Sequence, residues 1–131
     1  MAAYKAGGQH IVDMGGLHFV VMHRTLGDDG GVTIEVFGDV EGKSVQVLRF
    51  DMFDKAPHYH HAPFGKNINT PLDPREVGDT AKWAMTQIRS NIPEMLKTAG
   101  YETLAGSVDA NAFATEWTKV SEAVDAAKAA A

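Results

Sequence analysis

Three of the six histidines in this 131-residue chain lie within four positions, at His58, His60 and His61, in a segment bracketed by Pro57 and Pro63. Imidazole is the side chain most often used to bind transition metals or to move protons near neutral pH. Because clustered imidazoles have no evident packing advantage, the segment is the strongest candidate for a functional site. Metal coordination is the leading prediction, and the alternatives are metal-free proton transfer and a structural role in a loop.

The flanking prolines disfavour helix, so the histidine segment is expected to be extended. Side chains two positions apart in an extended backbone point to the same side. His58 and His60 should therefore point together, whereas Tyr59 and His61 should point the opposite way. The first pair has the spacing needed to share one metal ion.

The other ligands of such an ion must come from outside the pair, since a zinc-like site needs three or four ligands. The chain contains no cysteine, so the donors are limited to imidazole and oxygen. Nearby carboxylates are suitable either as ligands or as acceptors that fix the tautomer of an imidazole. The candidate metal ligands are His58, His60, His61, Asp51 and Asp54, and the predicted cofactor is a divalent ion such as zinc.

The length and composition of the chain are those of one ordinary globular domain, which we place at residues 1–131. Its formal net charge of −5 disfavours nonspecific electrostatic binding to nucleic acid. The N-terminal residues lack the apolar region of a signal peptide, and no stretch is long and apolar enough to span a bilayer. We therefore expect a cytoplasmic protein that does not associate with membranes.

The elements that position the histidines are strands in the first half of the chain. Residues 17–26, 32–37 and 44–53 are rich in β-branched and aromatic residues, and turn residues separate them. Short connections favour an antiparallel meander over roughly residues 17–53. The apolar alternation changes phase between Val47 and Leu48, which indicates a β-bulge or a strand covered on both faces.

The second half of the chain has helical periodicity. Apolar residues recur at three- and four-residue spacing in two helices, at roughly residues 74–99 and 109–128, and Pro93 should kink or break the first of them. Asp109 has the position of a cap for the second helix. Residues 54–72, between sheet and helices, are expected to form an ordered loop. The predicted fold is α+β, a three-stranded antiparallel meander followed by two helices packed on one face.

The segment Leu-Arg-Phe-Asp-Met-Phe-Asp-Lys-Ala-Pro-His-Tyr-His, residues 48–60, resembles a motif of small uncharacterised bacterial α+β proteins, in which an Arg-Phe-Asp strand precedes Pro-His-Tyr-His. The resemblance covers about a tenth of the chain and implies no established activity. The same segment is more faintly similar to toxin-like proteins of bacterial toxin–antitoxin pairs. That similarity implies a site at Arg49, Asp51 and His58.

Three functions are consistent with these observations. The leading one is a small metal-binding protein in which His58 and His60 are the principal ligands. The second is a non-catalytic subunit of a larger assembly, because a three-stranded sheet leaves one face for another chain to cover. A protein partner, either a second copy or another subunit, is therefore expected. The third is a toxin-like enzyme that cleaves RNA, which the acidic balance disfavours.

Overall fold

An antiparallel sheet followed by short helices makes up the computed structural model, which describes residues 4–6 and 8–131. Over those residues the seven strands are β1 (Tyr4–Ala6), β2 (His10–Met14), β3 (Leu17–Leu26), β4 (Asp29–Val40), β5 (Lys43–Phe53), β6 (His58–His61) and β7 (Ile68–Pro71). Over the same residues the six helices are α1 (Pro74–Val77), α2 (Thr80–Ser90), α3 (Ile92–Thr98), α4 (Glu102–Ser107), α5 (Ala110–Glu116) and α6 (Thr118–Ala129).

The sheet has the strand order β1-β3-β4-β5-β6-β7, and β2 pairs with β3 on the same side as β1. All neighbouring pairs are antiparallel. The α+β class and the central meander of β3, β4 and β5 are confirmed. The predicted number of strands, three, was too small, because the sheet continues through β6 and β7 on one side and through β1 and β2 on the other.

The histidine segment is a strand inside the sheet, so the prediction of an irregular loop over residues 54–72 was wrong. The segment forms β6 and pairs with both β5 and β7. Pro57 immediately precedes β6 and Pro71 ends the edge strand β7, two positions at which proline costs no internal ladder hydrogen bond. The segment is therefore extended, as the prolines predicted, and its backbone pairs with the neighbouring strands β5 and β7.

The helical half is divided more finely than predicted. The expected helix at residues 74–99 is three helices, because Gly78 ends the first with a φ of 75° and Pro93 lies in the first turn of the third. The expected helix at 109–128 is α5 and α6, and α4 was not predicted. Asp109 caps α5 through the backbone N–H groups of the next turn, as expected. None of the helices in the described residues is long and apolar enough to cross a bilayer.

The two faces of the sheet differ in character. Val32, Ile34 and Val36 of β4 are buried on the face that the helices cover, whereas Thr33 and Glu35 point to the other face. The predicted irregularity in β5 is a β-bulge at Val47, where the pairing with β4 shifts register. Beyond the bulge, successive side chains of β5 point alternately to the face that the helices cover and to the opposite face. The polar side chains Thr33, Glu35, Arg49 and Asp51 of β4 and β5 thus lie on the face away from the helices.

Gly31 of β4 is opposite Phe53 of β5, and its Cα lies against the β5 backbone. A Cβ atom at this position would lie 2.1 Å from the backbone oxygen of Met52. We expect Gly31→Ala to lower the free energy of unfolding by about 1–3 kcal/mol, because the two strands must separate. The measurement is chemical denaturation followed by circular dichroism.

Gly106→Ala is the matched control for that substitution. Gly106 lies in α4, and a Cβ atom there has no neighbour within 4 Å. Alanine should raise stability by about 0.5–1 kcal/mol at this position, because it restricts the unfolded chain. Equal effects of the two substitutions would show that the contact between β4 and β5 is not tight.

Candidate metal centre

The register of β5 and β6 brings together the side chains that could act chemically. Asp51 is opposite His58, and Arg49 is opposite His60. All four side chains are on the face away from the helices, since Leu48 and the other intervening residues of β5 point into the core. The predicted common direction of His58 and His60 is confirmed, and their ring centroids are 4.9 Å apart.

Asp51 is the buried centre of this group, and four strands supply its partners. Its Oδ1 accepts hydrogen bonds from Thr33 Oγ1 at 2.7 Å and from Arg24 Nη1 at 3.1 Å. Its Oδ2 accepts from Arg49 Nε at 3.0 Å, and His58 Nε2 is 3.1 Å from the same oxygen. Burial opposes ionisation, but the hydrogen bonds from His58 and Thr33 and the charge of Arg49 hold the pKa of Asp51 well below its ordinary value.

The contacts of His58 favour a hydrogen on each ring nitrogen. Its Nδ1 is 2.9 Å from the carbonyl oxygen of Ala56, which can only accept, and its Nε2 is paired with the Asp51 carboxylate. The hydrogen bond to Asp51 is the main reason that the pKa of His58 is raised above 6.5, against the opposing effect of burial. The imidazolium form of His58 therefore persists to higher pH than that of a free histidine.

The contacts of His60 favour the neutral form, with a lone pair directed to the same point. Its Nδ1 is 2.7 Å from the amide oxygen of Asn67, which places the ring hydrogen on that nitrogen. Its Nε2 then accepts a hydrogen bond from Arg49 Nη2 at 3.1 Å and lies 3.5 Å from Asp51 Oδ2. Burial is the main reason that the pKa of His60 is lowered, and the positive charge of Arg49 adds to it.

Three of the five candidate ligands are thus brought together. One donor atom from each of Asp51, His58 and His60 lies within 4.8 Å of the other two. His61 is on the opposite face of β6, with its ring centroid 5.2 Å from that of Tyr59, and burial lowers its pKa. Asp54 is exposed and lines a cavity of about 460 Å³ between the sheet and the helices. Both lie outside the group.

The connection that leads into β6 is held by Asp29, at the start of β4. Its carboxylate accepts hydrogen bonds from the backbone N–H groups of Gly30, Lys55 and Ala56, at 2.8, 2.9 and 3.0 Å. Burial opposes ionisation, yet these bonds lower the pKa of Asp29 below its ordinary value. The same Ala56 supplies the carbonyl group that fixes the His58 ring, so Asp29 contributes to the orientation of the site.

Comparison with known sequences assigns the chain to a family. A family profile described as a domain of unknown function, DUF7700, matches residues 11–124. The chain belongs to this family. The match contains every side chain of the candidate centre and agrees with the predicted kinship to an uncharacterised family. No curated protein and no solved structure matches the chain.

The polar centre of this DUF7700 domain includes residues that sequence reasoning missed. Arg24, Thr33 and Asn67 contact the site through side chains, yet none of them adjoins the histidine segment in sequence. The alternation of Thr33 with the apolar residues Val32 and Ile34 is the one sequence signal that points to it. The positions implied by the toxin-like similarity, Arg49, Asp51 and His58, are in mutual contact through the Asp51 carboxylate.

Loss of the Asp51 carboxylate should strongly destabilise the fold. Asp51→Ala leaves the guanidinium groups of Arg24 and Arg49 largely buried without their counter-charge, and we expect a loss of about 3–5 kcal/mol in the free energy of unfolding. Urea denaturation measures this loss. Asp28→Ala is the control, because Asp28 pairs with Lys55 at the surface and its removal should leave stability nearly unchanged. Similar effects of both substitutions would contradict the central role of Asp51.

The pairing of His58 with Asp51 should also give stability a pH dependence. Because folding raises the pKa of His58 above 6.5, its contribution is complete below that value and is lost as pH rises through the raised pKa. The difference in free energy of unfolding between wild type and His58→Gln should therefore be largest below pH 6.5 and shrink as pH rises above it. Denaturation at several pH values measures the difference. A constant difference would show that His58 does not titrate with folding.

Proposed function

We propose that this protein binds one divalent metal ion, zinc or an ion of similar ligand preference, through His58, His60 and Asp51. The observation that carries the proposal is that one donor atom of each side chain lies within 4.8 Å of the others on one sheet face. Two imidazoles and one carboxylate are a recurrent ligand set for zinc and for ferrous iron. Such a set leaves coordination positions for water or for a bound molecule.

The orientation of both imidazoles supports this assignment. Each ring directs its Nδ1 to a fixed acceptor, the Ala56 carbonyl for His58 and the Asn67 amide oxygen for His60. Acceptors of this kind fix the tautomer and the ring plane of metal-binding histidines. The two Nε2 atoms consequently point toward Asp51, where an ion would contact all three residues.

Two cations compete with a metal ion for these donor atoms. A proton on His58 Nε2 must leave, and the Arg49 guanidinium must withdraw from Asp51 Oδ2 and His60 Nε2. Withdrawal is feasible because the Arg49 side chain is long and 21% exposed. Proton competition makes metal affinity increase with pH, as for other histidine ligands.

Elemental analysis of the untagged protein tests the proposal. After equilibration with zinc and removal of the unbound ion, wild type should retain about one ion per chain, because three donors converge. The His58→Ala/His60→Ala variant should retain almost none. The His10→Ala/His18→Ala variant removes the same number of imidazoles elsewhere and should retain the wild-type amount.

The same measurement can refute the proposal. Sub-stoichiometric metal in wild type at saturating zinc, or equal retention by wild type and His58→Ala/His60→Ala, excludes a metal centre at these residues. Circular dichroism of each variant shows whether a loss of metal follows from unfolding. Parallel equilibration with ferrous iron under anaerobic conditions identifies which ion the site prefers.

A further inference from the structure

With a divalent ion bound, the candidate metal centre would contain more positive charge than the carboxylates of Asp51 and Glu35 neutralise. The permanently charged guanidinium groups of Arg24 and Arg49 both contact Asp51, and an ion bound there would add two more positive charges. A second carboxylate beside Asp51 is that of Glu35, which is opposite Arg49 and accepts a hydrogen bond from Gln46. Two guanidinium groups and a divalent ion, set against two carboxylates, leave a net charge of about +2.

Such an excess is costly on a largely desolvated surface unless an anion compensates for it. The Arg24 side chain is 13% exposed and that of Asp51 is 2% exposed, so bulk water screens this part of the group poorly. A dianion would bring the net charge to zero. Phosphate groups carry about −1.5 to −2 charges near neutral pH and are recognised by the planar fork of arginine.

The location of Arg49 allows it to serve as the contact for this anion. Its guanidinium touches the two donor atoms that an ion would take, Asp51 Oδ2 and His60 Nε2. When an ion displaces it, the nearest open direction is outward, since Arg49 and His58 are the more exposed members of the group at 21% each. A guanidinium displaced in this way would remain close enough to contact an anion bound to the ion.

We propose that the metal-loaded protein binds a phosphate group, as inorganic phosphate or as a phosphate monoester, between the ion and the guanidinium of Arg49. This inference rests on the proposed metal function and names the ligand class for its open coordination positions. Acetate, with a single negative charge, should bind more weakly than phosphate. Arg49 thus has two states, paired with Asp51 and His60 without the ion and paired with the anion in its presence.

Isothermal titration of zinc-loaded protein with inorganic phosphate, after removal of unbound zinc, tests this inference. Arg49→Met should retain zinc, with unchanged or tighter affinity, and bind phosphate at least about tenfold more weakly. Arg75→Met is the control, because Arg75 pairs with Asp73 on an exposed surface and its loss should not change phosphate binding. Circular dichroism checks folding, and Arg49→Lys, which keeps the charge, should recover part of the affinity.

The outcomes separate this inference from the metal proposal. Retention of zinc without phosphate binding at millimolar concentration overturns the inference and leaves the metal function intact. Retention of zinc with phosphate binding that Arg49→Met does not weaken also overturns it. If no zinc is retained, the metal proposal fails, and phosphate binding by the metal-free protein would show an anion site of arginines alone, contrary to a metal-bound anion.

Discussion

The structure around the candidate site depends on one buried carboxylate. Asp51 receives hydrogen bonds or ion pairs from side chains of β3, β4, β5 and β6, so four adjacent strands are joined through two oxygen atoms. A buried carboxylate is tolerated only when its lone pairs are occupied, and here cations and a hydroxyl group occupy them. Because Asp51 Oδ2 needs partners, Arg49, His58 and His60 all lie close to this one oxygen and therefore close to one another.

The donor atoms of the site are shared among three kinds of positive charge. A proton on His58, the Arg49 guanidinium and a divalent ion all use the lone pairs of Asp51 and of the two imidazoles. Their competition accounts for a polar centre that has many hydrogen bonds without metal and nevertheless has the donor set of a metal centre. The pH and the concentrations of metal ion and anions decide which of these cations occupies the donor atoms. One cation can replace another because the sheet face is open to solvent at Arg49 and His58.

The sequence alone was sufficient for the local geometry of the site and insufficient for its long-range partners. Alternation in an extended backbone correctly placed His58 and His60 on one side and Tyr59 on the other. Arg24 and Thr33 were missed because their approach to Asp51 depends on the register of β3, β4 and β5. Turn geometry and the bulge at Val47 set that register, and neither is encoded in the histidine segment.

The same distinction explains the errors in the predicted fold. A four-residue strand such as β6 is too short to show apolar alternation, and its stability comes from pairing with β5 and β7. Helical periodicity correctly identified the buried residues of α2 and α3, such as Ile88 and Leu96, because packing on the sheet follows the apolar stripe. The breaks between the short helices depend on the positive φ of Gly78 and on the missing amide hydrogen of Pro93. The spacing of apolar residues does not reveal where such breaks fall.

The wide spacing of the Asp51 partners has a consequence for the order of folding. Arg24 is 27 residues from Asp51 in sequence, and the carboxylate is enclosed only after β3, β4, β5 and β6 have assembled. The entropic cost of closing long segments favours early formation of the local hairpins, so dehydration of this charge belongs to a late step. Interactions that form after the rate-limiting barrier slow unfolding and have little effect on the rate of folding. The polar centre is therefore expected to slow unfolding of the sheet more than it changes the rate of folding.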